Sequence, residues 1–583
     1  MCGGSILRGF SLRSPNKENA QLPAPNLIIE QNLTARMRDG TILRADAYRP
    51  EAPDAAPAIL IRTPYSKGSR AESAFVRAAV QRGYAVVIQD VRGRYQSDGV
   101  FDPYRQEGRD GFDSIEWLAS QTWCNGRVAG SGLSYPGAAQ WLAAVESPPH
   151  LACIFPAMCF SSARHFFYVG GAFDLSWIPW TANNIAPEER RRRSLPGART
   201  GRDARAEWQR TGRDAFRHLP LNTLPLLKDV APYYFEWLDH PEDGPYWDFA
   251  DIESRHDRVR VPAMNFSGWH DEGYGPVGAI ANFTGMRARG ATPAARDPHL
   301  VIGPWTHGEP DLSSTRVGDR DFGSAAGLDY EQLVLDWCDL HVRGIDRGLS
   351  RGPRVRVFVM GSNRWRTANE WPIPGTTPRS LYLRSGGRLT WVPPAAAERP
   401  DQYRYDPGDP LEDPHFESGL GPHDQRLVEK RTDLLVFTSD PLPEDLEVIG
   451  QIDCRLWLSS TGPDTDVVVR LLDVEPDGPA WNLMSPTLEV LRVRYRAGEL
   501  QPLLLLPGVP VEVRLTLPVC ANRFRRGHRI RVHVTSSFFP HVDRNPNTGR
   551  AVGGESRLVP ATNVIHHDAS RPSRIMLPVV AQE

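Results

Sequence analysis

A serine hydroxyl becomes a useful nucleophile only when a base removes its proton and an acid holds that base in place. Ser134 lies in GSGLSYPG, residues 130 to 137, a stretch that admits several readings. A dinucleotide fingerprint would need a third glycine where Tyr135 stands, and a Walker loop would need a lysine that is missing. What fits is G-x-S-x-G with its last glycine moved on by one place, over Gly132, Ser134, Tyr135 and Gly137. In such a nucleophile elbow the strand RVAG reverses sharply into the helix AAQWLAAVE, and the serine sits strained at the apex between small residues. The start of the helix aims main-chain N–H groups and its dipole at a developing oxyanion, so the N–H of Tyr135 is a donor candidate. A glycine-serine turn in which Ser134 merely caps the helix has the same local pattern.

On a sheet of parallel strands the acid and the base should follow the serine in that order, each just after a strand. Asp271 follows VPAMNF in SGWHDEGYG, and His307 follows HLVIG in GPWTHGEP. His270 is the alternative base, but neighbours on an extended chain point in opposite directions, so it is badly placed to meet both partners. Glu272 is the alternative acid.

The elements that must position these residues come next. PAILIRTPY and YAVVIQD are short continuous apolar runs, as in strands covered on both faces, and AESAFVRAAVQRG between them has helical spacing. GRDGFDSIEWLASQ reads as a helix, and LACIFPAM as another buried strand. Strand-helix alternation of this kind predicts right-handed crossovers and a parallel sheet. Between 160 and 257 the strand signal disappears, and RHFFYVGGAFDLSWIPW and PLLKDVAPYYFEWLDH read as helices of an inserted cap. After RGIDRGLSRGP, RVRVFVM, VEVRLTL and IRVHVTS alternate apolar and polar residues, as antiparallel strands with one wet face do. The expected organisation is a polar tail over 1–25, an α/β domain over 26–159 and 258–350 interrupted by a helical cap over 160–257, and a β-sandwich over 351–583.

Taken together, RDGTILRADAYRP, IRTPY, VIQDVRGRYQSDGVF, DGFDSIEWLASQTWCNGRV, GLSYPG, SGWHDEG and GPWTH resemble the cocaine esterase type of serine hydrolase. That group includes α-amino-acid ester hydrolases, glutaryl acylases and X-prolyl dipeptidyl aminopeptidases. The resemblance runs from about residue 28 to the C-terminus. It implies an α/β-hydrolase domain with an inserted helical cap and a C-terminal jelly roll, and the triad Ser134, Asp271 and His307. It also implies an oxyanion hole made by the N–H of Tyr135 and the hydroxyl of Tyr65 in R-x-P-Y. Tyr65 as a core aromatic is the alternative.

Where α-amino-acid ester hydrolases gather carboxylates around a substrate ammonium, this chain has DEGYG, with Glu272 but no dense acidic cluster. Phe166, Phe167, Tyr168, Phe173 and Trp177 point instead to an apolar acyl pocket, with Arg164, His165 and Trp269 as further substrate contacts; an aromatic helix face is equally often plain core. EERRRR, residues 188 to 193, reads as a solvated helix face.

The 68 Lys and Arg against 70 Asp and Glu give a formal net charge of −2, which provides no field for nucleic acid or anionic lipid. The expected partner is a small ester or amide substrate, and the one macromolecular partner left open is a second copy of the chain. Seven scattered cysteines, Cys2, Cys124, Cys153, Cys159, Cys338, Cys454 and Cys520, fit neither a disulfide framework nor a zinc motif. No metal and no organic cofactor is expected. There is no signal-peptide pattern and no apolar run of membrane-spanning length, so a cytoplasmic protein is expected.

Overall fold

A computed structural model describes residues 27–70, 73–271, 275–308, 310–485, 489–498 and 500–581. The tail expected over 1–25, with Cys2, and Glu272 lie outside the described residues.

The apolar runs become strands of one ten-stranded sheet. In chain order its strands are β1 (Leu27–Arg36), β2 (Ile42–Pro50), β3 (Ala56–Thr63), β4 (Ala85–Asp90), β5 (Cys124–Leu133) and β6 (Leu151–Ala157). The cap intervenes with a two-stranded hairpin, β7 (Tyr168–Val169) and β8 (Ala172–Phe173). The large sheet then resumes with β9 (Met264–Gly268) and β10 (His299–Gly303). A second small hairpin, β11 (Arg316–Val317) and β12 (Arg320–Asp321), precedes β13 (Val355–Val359) and β14 (Arg364–Ala368), which complete the large sheet. The spatial order is β1-β2-β4-β3-β5-β6-β9-β10-β13-β14. It is parallel from β4 to β13, with antiparallel strands at both edges.

Every residue of β4, β9 and β10 is buried, as expected of strands covered on both faces. The covering helices are α1 (Ala74–Gln81), α2 (Glu107–Ala119) and α3 (Tyr135–Ala144), then α9 (Gly275–Arg289) and α10 (Tyr330–Cys338) after the cap. Because β4 lies on one side of β3 and β5 on the other, the chain order reverses between β3 and β5. The loops leaving the carboxyl ends of these two strands therefore diverge and open a crevice.

One expectation is corrected here. RVRVFVM reads as a sandwich strand, yet Val355, Arg356 and Val357 pair in parallel with Leu300, Val301 and Ile302. Four of the five residues of β13 are buried, and the one polar residue, Arg356, lies over the Trp365 ring of β14, so a covered cation in an apolar run imitates the alternation of a sandwich strand.

The cap also differs from the all-helical expectation. Its helices are α4 (Ala163–Phe167), α5 (Trp177–Trp180), α6 (Ala186–Arg192), α7 (Gly201–Arg217) and α8 (Pro232–Asp239). RHFFYVGGAF yields one short helix and the β7–β8 hairpin, because Gly170 and Gly171, at φ 51° and 84°, turn the chain back on itself. In PLLKDVAPYYFEWLDH the helix begins only at Pro232, where a missing N–H suits the first turn. Nor is EERRRR wholly solvated, since Glu188 and Arg190 are buried.

The C-terminal jelly roll holds its strands between Thr376 and Val580, in a twelve-stranded network. Val513, Leu515 and Leu517 are buried while Arg514 and Thr516 are exposed, and the buried residues pair with Leu456, Cys454 and Ile452 of the strand Leu446–Ser460. The jelly roll grips the cap through the β7–β8 hairpin. Asp543 Oδ1 accepts the N–H of Phe173 at 2.7 Å, and the N–H of Arg492 bonds the carbonyl of Gly170 at 2.8 Å. Cys124, Cys153, Cys159, Cys338, Cys454 and Cys520 are buried and unpaired. Among the described residues no helix is long and apolar enough to cross a membrane.

Candidate active site

Ser134 stands between β5 and α3 at φ 67° and ψ −127°, a left-handed conformation that costs a non-glycine residue on the order of 1–3 kcal/mol. The surroundings hold it there. Its N–H bonds the carbonyl of Ala157 at 2.9 Å. A Cβ at position 132 would come within 2.4 Å of Pro136 Cβ, and one at 137 within 2.6 Å of the Ala157 carbonyl oxygen. Both glycines are thus required by close approach, including the displaced one. Gln140, which the sequence reading passed over, closes the turn: its Nε2 donates to the carbonyls of Gly132 and Pro136 at 3.2 and 3.0 Å, and its Oε1 accepts the N–H of Phe155 at 2.9 Å.

Tyr135 opens α3, so its N–H has no carbonyl within the helix to bond. Its side chain is fully buried behind the elbow. The phenol donates to Glu107 Oε1 at 2.8 Å and accepts the N–H of Tyr104 at 3.1 Å, and its ring stacks on Tyr104 at 4.3 Å. Burial, with Glu107 second, pushes this phenol well above the ordinary tyrosine range. Glu107 is held in turn by Arg62 at 2.5 Å.

Asp271 and His307 follow the neighbouring parallel strands β9 and β10. The loops leaving these strands bond one another directly, Trp269 N–H to the Gly303 carbonyl at 2.9 Å and His270 N–H to the Trp305 carbonyl at 3.0 Å. The two side chains meet as a result. His307 Nδ1 lies 2.6 Å from Asp271 Oδ1. Asp271 is fully buried, and its Oδ2 accepts a hydrogen bond from Ser267 Oγ at 2.9 Å. A carboxylate fixed at both oxygens sets the plane of the imidazole and places the proton on Nδ1, which leaves Nε2 as the basic nitrogen. His270, the alternative base, is fully buried, and among the described residues neither of its ring nitrogens has a hydrogen-bond partner. Burial, helped by Arg320 and His423, pushes its imidazole down to about 3.

Tyr65 follows β3, the strand beside β5, and is half-buried. Its hydroxyl oxygen accepts the indole N–H of Trp180, from α5 of the cap, at 2.9 Å. Trp180 gave no signal in the sequence beyond belonging to an aromatic segment.

The expected substrate contacts are placed differently. Arg164 is buried, donates to the Tyr168 carbonyl at 3.0 Å and stacks over the Tyr168 ring. Phe166, Phe167 and Trp177 are buried against one another, Trp177 lying 4.6 and 4.5 Å from the two phenylalanine rings, and Phe167 also packs on Trp237 at 4.1 Å. These side chains build the cap's own core, since a five-residue helix turns its apolar face inward. Trp269 is likewise a core anchor, fully buried with its indole N–H on the Phe358 carbonyl at 2.7 Å. His165 alone of this group is exposed. A cavity of about 530 Å³ lies beside the elbow, walled by Ile61, Phe75, Ser131, Gly132, Leu312 and Tyr330 among others.

Residues 39–309 match the model of the X-Pro dipeptidyl-peptidase S15 family, and residues 347–576 match that of the X-Pro dipeptidyl-peptidase C-terminal non-catalytic domain. The chain is 34% identical over 587 aligned positions to cocaine esterase of Rhodococcus sp. (strain MB1 Bresler), covering 95% of this chain and 99% of that one. It belongs to the cocaine esterase family. A putative serine esterase of Mycobacterium bovis is 28% identical, over 93% of this chain and 94% of its own. Two solved structures share the fold at 24% identity. They are an aminopeptidase from a marine sediment archaeon, Thaumarchaeota archaeon, with a TM-score of 0.81, and an α-amino acid ester hydrolase, with a TM-score of 0.80. Both alignments cover 98% of this chain and 100% of the other. As a member of the cocaine esterase family the chain is a serine hydrolase of ester or amide substrates.

Proposed function

We propose that Ser134, His307 and Asp271 form the catalytic triad of an esterase, with the Tyr135 N–H and the Tyr65 hydroxyl as its oxyanion hole. The observation that carries this reading is the 2.6 Å contact of His307 with Asp271, at the ends of strands in the same sheet whose β5 ends in the strained serine. His307 Nε2 takes the Ser134 proton as Oγ attacks the ester carbonyl, and Asp271 stabilises the imidazolium that forms. The tetrahedral oxyanion receives one hydrogen bond from the helix start and one from a phenol, which is protonated at neutral pH yet more acidic than an alcohol. His307 returns the proton to the departing alcohol, leaving an acyl-serine. Water, activated by the same imidazole, then releases the acid.

The test is covalent labelling with a fluorophosphonate together with turnover of a panel of acyl esters. Ser134→Ala should abolish both, and His307→Ala should lower kcat by at least about 10³-fold. Labelling that persists in Ser134→Ala would remove the serine from its role.

Removal of X-Pro dipeptides is the second reading, supported by the match of residues 39–309 to the S15 model. It requires a site for a free N-terminal amine. Turnover of an aminoacyl-prolyl anilide with no turnover of simple esters would favour it over the esterase. The relative at 34% identity is named an esterase, which supports the ester-first reading. The expected localisation is cytoplasmic, and fractionation of cells producing the full-length chain tests it.

A further inference from the structure

Asp319, His415 and His423 come from chain segments about a hundred residues apart, and each offers a ligating atom within 4.8 Å of those of the other two. Asp319 sits on the turn of the β11–β12 hairpin, which falls between β10 and β13 of the large sheet in the chain. The two histidines belong to the jelly-roll segment 415–423. Their rings are stacked in parallel, with centroids 4.5 Å apart and planes 3° from each other.

The hydrogen bonds around the rings are those a metal site uses. His423 Nε2 lies 3.0 Å from the Gly419 carbonyl, and His415 Nε2 lies 3.3 Å from the Asp424 carbonyl. A carbonyl can only accept, so each histidine donates from Nε2, and Nδ1 is the atom left for a ligand. Main-chain carbonyls orient metal-bound histidines in this way. His423 Nδ1 already faces Asp319 Oδ2 at 2.8 Å, where a cation would replace the shared proton.

We propose that Asp319, His415 and His423 bind a divalent transition-metal ion of the zinc type, through two Nδ1 atoms and one carboxylate oxygen, with water completing the shell. Imidazole with carboxylate suits zinc, and also cobalt or nickel; calcium and magnesium demand oxygen ligands throughout. Ligands in a tetrahedral zinc shell stand about 3.4 Å apart, with the ion in the plane of each imidazole, so binding opens the 2.8 Å contact of His423 with Asp319 and tilts the stacked His415 ring until both Nδ1 atoms face one point. His423 is buried while the Asp319 side chain is 52% exposed and His415 is half-buried, so the movement falls on Asp319 and His415.

The ion would act as a clip between the two halves of the chain. The N–H of Asp319 already bonds the Pro422 carbonyl at 3.0 Å. The same jelly-roll segment reaches the cap, where Phe416 packs edge-on against Phe216 at 5.4 Å and Glu412 pairs with Arg217. Metal binding would therefore tie together hydrolase domain, jelly roll and cap.

Chelator-stripped full-length protein titrated with Zn²⁺ in a calorimeter, and with Co²⁺ followed by its visible d–d bands, tests the proposal. One equivalent should bind and raise Tm. Affinity should fall by more than about tenfold in His415→Phe, which keeps a stacked aromatic ring, and in Asp319→Asn, which alters an exposed residue. The proposal is overturned if the stripped wild type binds neither ion, or if both variants bind as tightly as the wild type. Ester turnover by folded Asp319→Asn should match that of the wild type without metal.

Discussion

The indole N–H of Trp180 can only donate, so Tyr65 accepts at 2.9 Å and must direct its own O–H elsewhere. That contact turns a rotatable phenol into an aimed donor. In the proposed reaction Tyr65→Phe should lower kcat by about 10²–10³-fold with little change in KM, the expected cost of one oxyanion donor. Trp180→Phe keeps an aromatic ring and loses the hydrogen bond, and should lower kcat by about tenfold. In the Tyr65→Phe background the same change should cost almost nothing, because a residue acting through Tyr65 has nothing left to orient. Fully additive losses in that double-mutant cycle would mean that Trp180 acts on substrate by another route.

At the scale of elements, the cap is held from outside by the β7–β8 hairpin, and α5, which carries Trp180, follows that hairpin directly. Gly170 is the tightest point: it adopts φ 51°, and a Cβ there would meet the Val490 carbonyl oxygen at 2.0 Å. Gly170→Ala should lose about 2–4 kcal/mol of stability, measurable by denaturant unfolding, and should lower ester turnover by displacing α5. Gly375 is the control. It too has positive φ, 82°, but a Cβ there meets nothing within 4 Å, so Gly375→Ala should cost only about 1 kcal/mol and leave turnover intact. Equal losses at the two positions would show that backbone conformation, not the clash with the jelly roll, sets the cost.

For the molecule as a whole, His270 is a fully buried imidazole whose two ring nitrogens have no hydrogen-bond partner among the described residues. Burial lowers its pKa from 6.5 to about 3, so the native state keeps it neutral where the unfolded chain takes up a proton. Its contribution to stability is complete above pH 6.5 and is lost as pH falls toward 3, by at most about 1.4 kcal/mol per pH unit. His270→Leu should therefore flatten the acid side of the Tm-against-pH curve in that window. The acid limb of ester turnover should persist in the folded variant, because the proposed reaction still needs a neutral His307. An unchanged Tm curve would show that other groups govern acid unfolding.

The turn around Ser134 was legible because its demands are local: small residues on both sides of a strand-to-helix reversal leave a trace within eight residues. Asp271 and His307 were legible only through a topological rule, since a parallel sheet brings the ends of successive strands to one edge whatever lies between them. Continuous apolar runs marked the buried strands for the same kind of reason, each strand having to cover both its faces. What the tertiary structure alone decided are contacts whose partners lie far apart in the chain. Among them are Trp180 on Tyr65, Asp543 under the hairpin, β13 in the large sheet, and Asp319 beside two histidines of the jelly roll. Aromatic residues of the cap looked like substrate contacts because a core face and a pocket wall draw on the same side chains. Which of the two they become depends on what packs against them, and no local pattern encodes that.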